Sequence, residues 1–311
     1  MMASARRLGL GDLLGAGTRA LSRYTGTLLA VFVVQSLVAA ACMLAVALVL
    51  SQAFAHLPMF DEAVDGSLVA VLWVLPYGRE SFLAIAGLLF GAVLLWQLAS
   101  WFLVGGLLGV FAQRPEGRGD TARCFGASGA STYLQYAWLT VCALPGYALV
   151  LFLLMTGTSL AGPYIEHALT LPQLLGPLAL ASLPSLLLLH LLWTVSDYAR
   201  VELTLRDETH DPGVLRTYLR SFGYVIRRPL TLLHAGVGWL LFLLVTTAYA
   251  YLAQGHPMYG AEGAITLFFV RQGVALLRMA IKVGVLAGQV ELGRTRPMPA
   301  RRIEVKPSTT A

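Results

Sequence analysis

Polar positions in this chain are bunched between long apolar runs. Five stretches, 24–60, 81–113, 124–165, 168–196 and 229–261, contain no formally charged residue, and a sixth over 263–290 carries only Arg271, Arg278 and Lys282. A helix rising 1.5 Å per residue needs about 20 apolar residues to cross roughly 30 Å of hydrocarbon. The pattern therefore predicts six transmembrane helices, over about 27–50, 82–110, 133–157, 173–196, 230–253 and 263–290. The expected fold is all-α, a polytopic integral membrane protein. Residues 1–293 form a single six-span domain, and 294–311 a basic, disordered cytoplasmic tail.

The first run has the flanks of a signal peptide, with Arg6 and Arg7 before it and Ala53-Phe54-Ala55 resembling a cleavage site. Its apolar core of about 23 residues exceeds the 7 to 15 of a signal sequence, so a retained helix is the preferred reading.

Composition excludes a water-soluble fold: 57% of residues are hydrophobic and 12% charged, against about 25% charged in soluble domains. The formal charge of +6 does not gather into a nucleic-acid-binding patch, because Lys and Arg collect between the spans. Arg6, Arg7, Arg19 and Arg23 precede the first span; Arg114, Arg118 and Arg123 follow the second. Arg200, Arg206, Arg216, Arg220, Arg227 and Arg228 follow the fourth, and Arg294, Arg296, Arg301, Arg302 and Lys306 the sixth. The remaining connections hold Arg79 among Asp61, Glu62, Asp65 and Glu80, or only Glu166 or Glu262. Basic loops stay in the cytoplasm, so both termini are expected inside a plasma (inner) membrane. The other loops are short and leave no room for an extracytoplasmic domain.

Aligned by the basic segment before each odd span, Leu13–Phe32 (LLGAGTRALSRYTGTLLAVF), Thr121–Val141 (TARCFGASGASTYLQYAWLTV) and Val214–Leu233 (VLRTYLRSFGYVIRRPLTLL) share a layout. Each is a short helical segment with small residues and an aromatic, followed by a span. The even spans carry a polar break near their inner ends, at Gln97 and Ser100, at Ser196 and Asp197, and at Lys282 and Gln289. Three tandem two-helix repeats with cytoplasmic interfacial helices are expected. In 213–228, Leu215, Tyr218, Leu219, Phe222 and Ile226 recur at helical spacing, with Arg216, Arg220 and Arg227 on another face. Those cations are placed to meet anionic head groups of membrane lipids, and the first role of such a helix is to anchor topology.

The sixth span carries the chemistry. Arg271, Arg278 and Lys282, at i, i+7 and i+11, lie on one helical face, and each charge costs at least about 2.5–3.5 kcal/mol in hydrocarbon. They should face protein or water. Asp197, near the inner end of the fourth span, matches Lys282 in depth, so a pair with Lys282 or Arg278 is expected. His190, seven residues before Asp197 with Thr194 between them, shares its face; its first reading, like that of His234, is a hydrogen-bonded packing residue. Candidate ligand-binding residues are therefore Arg271, Arg278, Lys282, Asp197 and His190. Pro145 and Pro184 predict kinks near mid-span that could open a cavity. Gly87/Gly91, Gly105/Gly109 and Gly284/Gly288 are GxxxG pairs for close helix contact, within the chain first and between copies second.

Catalytic signatures are missing: no HExxH, P-loop, GxSxG or GxGxxG at a strand–helix junction occurs. Asp207, Glu208, His210 and Asp211 read as a solvated loop, and Cys42, Cys124 and Cys142 stand far apart. No metal, cofactor or enzymatic activity is predicted.

Asp197-Tyr198-Ala199-Arg200-Val201, followed by an acidic turn and the basic segment Leu215 to Pro229, resembles the fourth-span exit of a loose group of six-span bacterial inner membrane proteins of unknown function. Gly105-Gly106 and the Arg114 to Gly129 segment resemble the second-span exit of the same group. In layout these are similar to the membrane domain fused to glycerophosphodiester phosphodiesterases. The resemblance implies a bacterial inner membrane location, and no catalytic residue carries over.

Two readings of function follow. One is a non-catalytic membrane module, an accessory or permease-like subunit with a protein partner or a second copy. The other is a lipid- or anionic-solute-binding or transport protein using the cationic stripe. Complete neutralisation of that stripe by Asp197 would exclude the second.

Overall fold

Uninterrupted apolar sequence becomes helix because hydrocarbon offers no partner to the backbone, and a helix satisfies each N–H and C=O within its own segment. The computed structural model describes residues 8–54, 79–167, 170–206, 213–254 and 261–298. Among the described residues there are eight helices and no strand: α1 (Leu10–Arg23), α2 (Thr25–Phe54), α3 (Arg79–Gln113), α4 (Arg118–Glu166), α5 (Leu171–Leu205), α6 (Val214–Ile226), α7 (Pro229–Gln254) and α8 (Ala261–Thr295). Six of them, α2, α3, α4, α5, α7 and α8, are long and apolar enough to cross a membrane. The protein is an all-α, six-span membrane protein.

The helices outrun the apolar windows that predict them. α5 continues past residue 196 to Leu205, and α8 past 290 to Thr295, because Tyr198, Val201, Val290 and Leu292 are buried there against other helices rather than exposed to solvent. α4 departs most from expectation. The segment over 121–132 is continuous with the third span in one helix of 49 residues, which runs on through Pro145 and Pro163. α5 likewise runs on through Pro177 and Pro184. Beside Pro145 the Leu192 side chain of α5 occupies the space at Gly146, 3.0 Å from where a Cβ would stand.

Contacts divide the chain into two compact units, Tyr24–Val104 and the remainder, Met1–Arg23 with Gly105–Ala311. The first unit holds α2 and most of α3. Its surface is apolar, with Leu37, Met43, Leu44, Phe90 and Val93 more than half exposed, as suits helices that face lipid. Nothing stands within 4 Å of a Cβ at Gly87 or Gly91.

The second unit gathers the basic ends of the even spans around the short helices, and does so in a cyclic order. The end of α3 takes the start of α4: a Cβ at Gly105 would lie 2.3 Å from Thr132 Oγ1, and one at Gly109 would lie 2.1 Å from Ser128 Oγ. The end of α5 takes α6, through Tyr198 against Tyr224, ring centroids 5.3 Å apart, and Arg206 donating to Thr217 Oγ1. The end of α8 takes α1, where a Cβ at Gly17 would lie 2.6 Å from the Gly284 carbonyl oxygen. Each even span thus receives the short helical segment of the next two-span unit, and the last span receives that of the first. The Gly105/Gly109 and Gly284/Gly288 pairs serve contacts within the chain.

Local sequence explains how α1 and α6 are set. Asp12 accepts from the Gly9 N–H at 2.9 Å, and Asp12 and Arg23 lie in the first and last turns of α1, where each opposes the helix dipole favourably. Gly213, at φ 74°, precedes α6 in a conformation that costs glycine little. Thr231 Oγ1 donates to the carbonyls of Arg228 and Val225 at 2.7 and 3.2 Å, closing the elbow into α7. The described start of the basic tail is held against this elbow: the Arg296 carbonyl accepts from Tyr224 Oη at 3.0 Å and from Arg228 at 2.9 Å, and Met298 is buried. Residues 294–298 therefore depart from the disordered tail expected, while 299–311 lie outside the described residues. Burial pushes the Tyr224 phenol above its ordinary range, and the Arg228 guanidinium, 4.2 Å from its ring, opposes that shift.

α4 packs directly on the α5 backbone at Gly157, where a Cβ would sit 2.3 Å from the Ala181 carbonyl oxygen. Gly157→Ala must move backbone, and a loss of about 1–3 kcal/mol is expected. At Gly162, on the same helix, a Cβ meets nothing within 4 Å, and Gly162→Ala should be neutral or stabilising by about 0.5–1 kcal/mol. Thermal unfolding of the two variants in one detergent separates the cases, and equal midpoints would contradict the α4–α5 packing.

Candidate functional site

The basic end of α8 carries an ion cluster centred on a buried carboxylate. Asp197 on α5 is 3% exposed, and its two carboxylate oxygens face different cations. Oδ2 accepts from Lys282 Nζ at 2.7 Å, and Oδ1 from Arg200 Nη1 at 3.1 Å. The Lys282 ammonium also lies 5.0 Å from the Trp193 ring centroid, and Trp193 packs edge-on to Trp239 of α7 at 4.7 Å. Lys282 is thus fixed between a carboxylate and an aromatic face, two features that compensate its lost hydration. Depth matching brings Asp197 and Lys282 together as the sequence led us to expect. Arg200, one turn further along α5, is a partner that the sequence reading left among the loop cations.

Arg278, four residues from Lys282 toward the other end, is held by neutral groups only. Its Nη2 donates to Thr246 Oγ1 at 2.8 Å and its guanidinium lies 4.9 Å from the Phe242 ring centroid. Among the described residues its buried Nε has no acceptor. Arg271 donates from Nε to Tyr249 Oη at 2.9 Å and is exposed. Among the described residues no carboxylate reaches Arg271 or Arg278. The one negative charge at Asp197 already faces two cations, so among the described residues the stripe is not neutralised. Thr246 and Tyr249 are further site residues absent from the sequence reading.

His190 stands apart from this cluster. Its Nε2 lies 3.2 Å from the Leu232 carbonyl, and its own carbonyl accepts from Thr194 Oγ1 at 2.8 Å. It ties α5 to α7 as a packing residue. His234 is wholly buried, and among the described residues neither of its ring nitrogens has a partner, nor does the side-chain amide of Gln289. A Cβ at Gly288 would stand 2.8 Å from His234 Nε2, so the imidazole packs directly on the α8 backbone.

A second ion pair closes the basic end. Arg114, left-handed at φ 55°, pairs with Glu291 of α8, and the carbonyls of Arg114 and Pro115 accept from Arg23 of α1 at 3.4 and 3.5 Å. The described residues include no cluster of His, Cys, Asp and Glu suited to a metal ion.

No family model, curated protein or solved structure matches this chain. The reading of function therefore rests on the site.

Proposed function

We propose that the protein binds an anionic phospholipid, whose phosphate is held at Arg278 beside Lys282. The observation that carries this reading is Arg278, a cation within a span whose described partners are a hydroxyl and an aromatic ring. Charges inside a membrane ordinarily pair with opposite charge. A lipid phosphate at the guanidinium supplies that charge. Lipid suits the site better than a free anion because the flanking surface is apolar: Leu243, Leu244 and Phe269 are each 60% or more exposed, which offers acyl chains a place to lie. The basic end is assigned to the cytoplasmic side on the distribution of Arg and Lys, and the location to a bacterial inner membrane on the resemblance of the span exits.

Native mass spectrometry of the protein in nanodiscs containing phosphatidylglycerol tests this. Retained phosphatidylglycerol is expected, with retention about tenfold weaker in Arg278→Gln, as loss of a charge-assisted hydrogen bond implies. Equal retention in a folded variant would overturn the reading. A stoichiometric protein released by the same substitution would replace it with an assembly role, in which an acidic partner helix supplies the missing charge.

A further inference from the structure

Lys282, Arg278 and Arg271 form steps rather than a single binding point. At 1.5 Å per residue, Arg278 stands about 6 Å beyond Lys282, and Arg271 about 10 Å beyond Arg278. Together they extend about 16 Å along α8, roughly half the hydrocarbon thickness. The first step is level with the Asp197 cluster at the basic end, and the last is exposed while its Nε donates to Tyr249. On α7, Thr246 and Tyr249 hold the two guanidinium groups, so the polar path follows the α7–α8 seam.

A path for a water-soluble anion would enclose its cations. Here Arg271 is exposed and α8 also carries exposed apolar residues, among them Phe268, Phe269 and Leu277. We infer that the α7–α8 seam lets an anionic phospholipid cross between leaflets, its phosphate passing from Lys282 to Arg278 to Arg271 while its acyl chains stay in the bilayer. This rests on the binding reading above and adds a passive activity to it. No bond is made or broken, and the direction of net movement follows the lipid gradient together with the membrane potential acting on the head-group charge. Selectivity follows from charge: a head group with net negative charge is drawn along the steps, whereas a zwitterionic one brings its own cation against Arg278.

The test uses the full chain in phosphatidylcholine vesicles with a trace of acyl-labelled fluorescent phosphatidylglycerol, bleached by external dithionite. Protein-free vesicles lose the outer half of the signal. The wild-type protein is expected to expose nearly all of it, and to leave labelled phosphatidylcholine near half. Arg271→Gln should slow the second phase about tenfold and Arg271→Lys should restore it, with both variants retaining phosphatidylglycerol in nanodiscs because Arg278 is intact. Folded wild-type protein that leaves half the phosphatidylglycerol protected overturns the crossing, as does transit unchanged in Arg271→Gln or equal for the two lipids. If retention still depends on Arg278, the binding reading survives that failure; if retention is also absent, both fall.

Discussion

Asp197→Asn is expected to lower stability by about 1–3 kcal/mol, the cost of leaving a partly buried cation without its acceptor. The carboxylate is 3% exposed and serves as acceptor for Lys282 and Arg200 together. Asparagine keeps one oxygen and turns an NH2 donor toward a second cation that can itself only donate. One of the two cations, both partly exposed, must then leave the site or stay without its carboxylate. Lys282→Met should cost less, because Asp197 keeps Arg200 and Trp193 accepts an apolar neighbour. Replacing all three with apolar residues of similar volume, as Asp197→Leu, Arg200→Met and Lys282→Met, should recover most of the loss, since a buried ion cluster contributes little net stability once its desolvation is counted. Unfolding of the detergent-solubilised variants measures the order. If Asp197→Asn were no less stable than Lys282→Met, the carboxylate could not be the shared centre of the cluster.

What the sequence revealed of this arrangement follows from how strongly each residue is constrained. Six spans were legible because hydrocarbon demands both length and apolarity, and the runs satisfy both. Asp197 and Lys282 could be matched because charges in spans are few and depth can be counted from the ends. Thr246 and Tyr249 could not be found in the same way. Hydroxyls are common in membrane helices, and whether one faces Arg278 or lipid depends on the rotation of α7 about its axis, which packing sets. Arg200 was obscured for another reason. It falls past the apolar window, and a helix that continues beyond its apolar run looks in sequence like a basic loop. The same blindness split α4 at its small residues: Ser128 and Thr132 lie where the helix meets Gly105 and Gly109, and small residues at a contact are indistinguishable by composition from those of a turn.

The cyclic packing at the basic end has its own critical point, and Gly17→Leu is expected to release α1 from α8. A Cβ at Gly17 would stand 2.6 Å from the Gly284 carbonyl oxygen and 3.2 Å from its Cα. Both are backbone atoms of a long helix, so no side chain can yield, and a leucine needs far more room than a Cβ. The close contact extends a turn further along α8, where a Cβ at Gly288 would meet the Leu13 carbonyl at 2.9 Å. Separation exposes Leu13, which is fully buried, at a cost of about 1.5–3 kcal/mol, and adds the loss of the remaining helix contact. Local opening of α1 should become easier by about 3 kcal/mol, which hydrogen exchange reads as a roughly hundredfold faster rate across residues 10–23. Gly11→Leu is the matched control, since a Cβ there meets nothing within 4 Å, and its exchange should stay close to wild type. α8 must remain protected in both variants, because its own backbone bonds do not depend on α1. Equal protection of α1 in the two variants would mean that the first short helix is held by the membrane surface and not by the glycine contact with the last span.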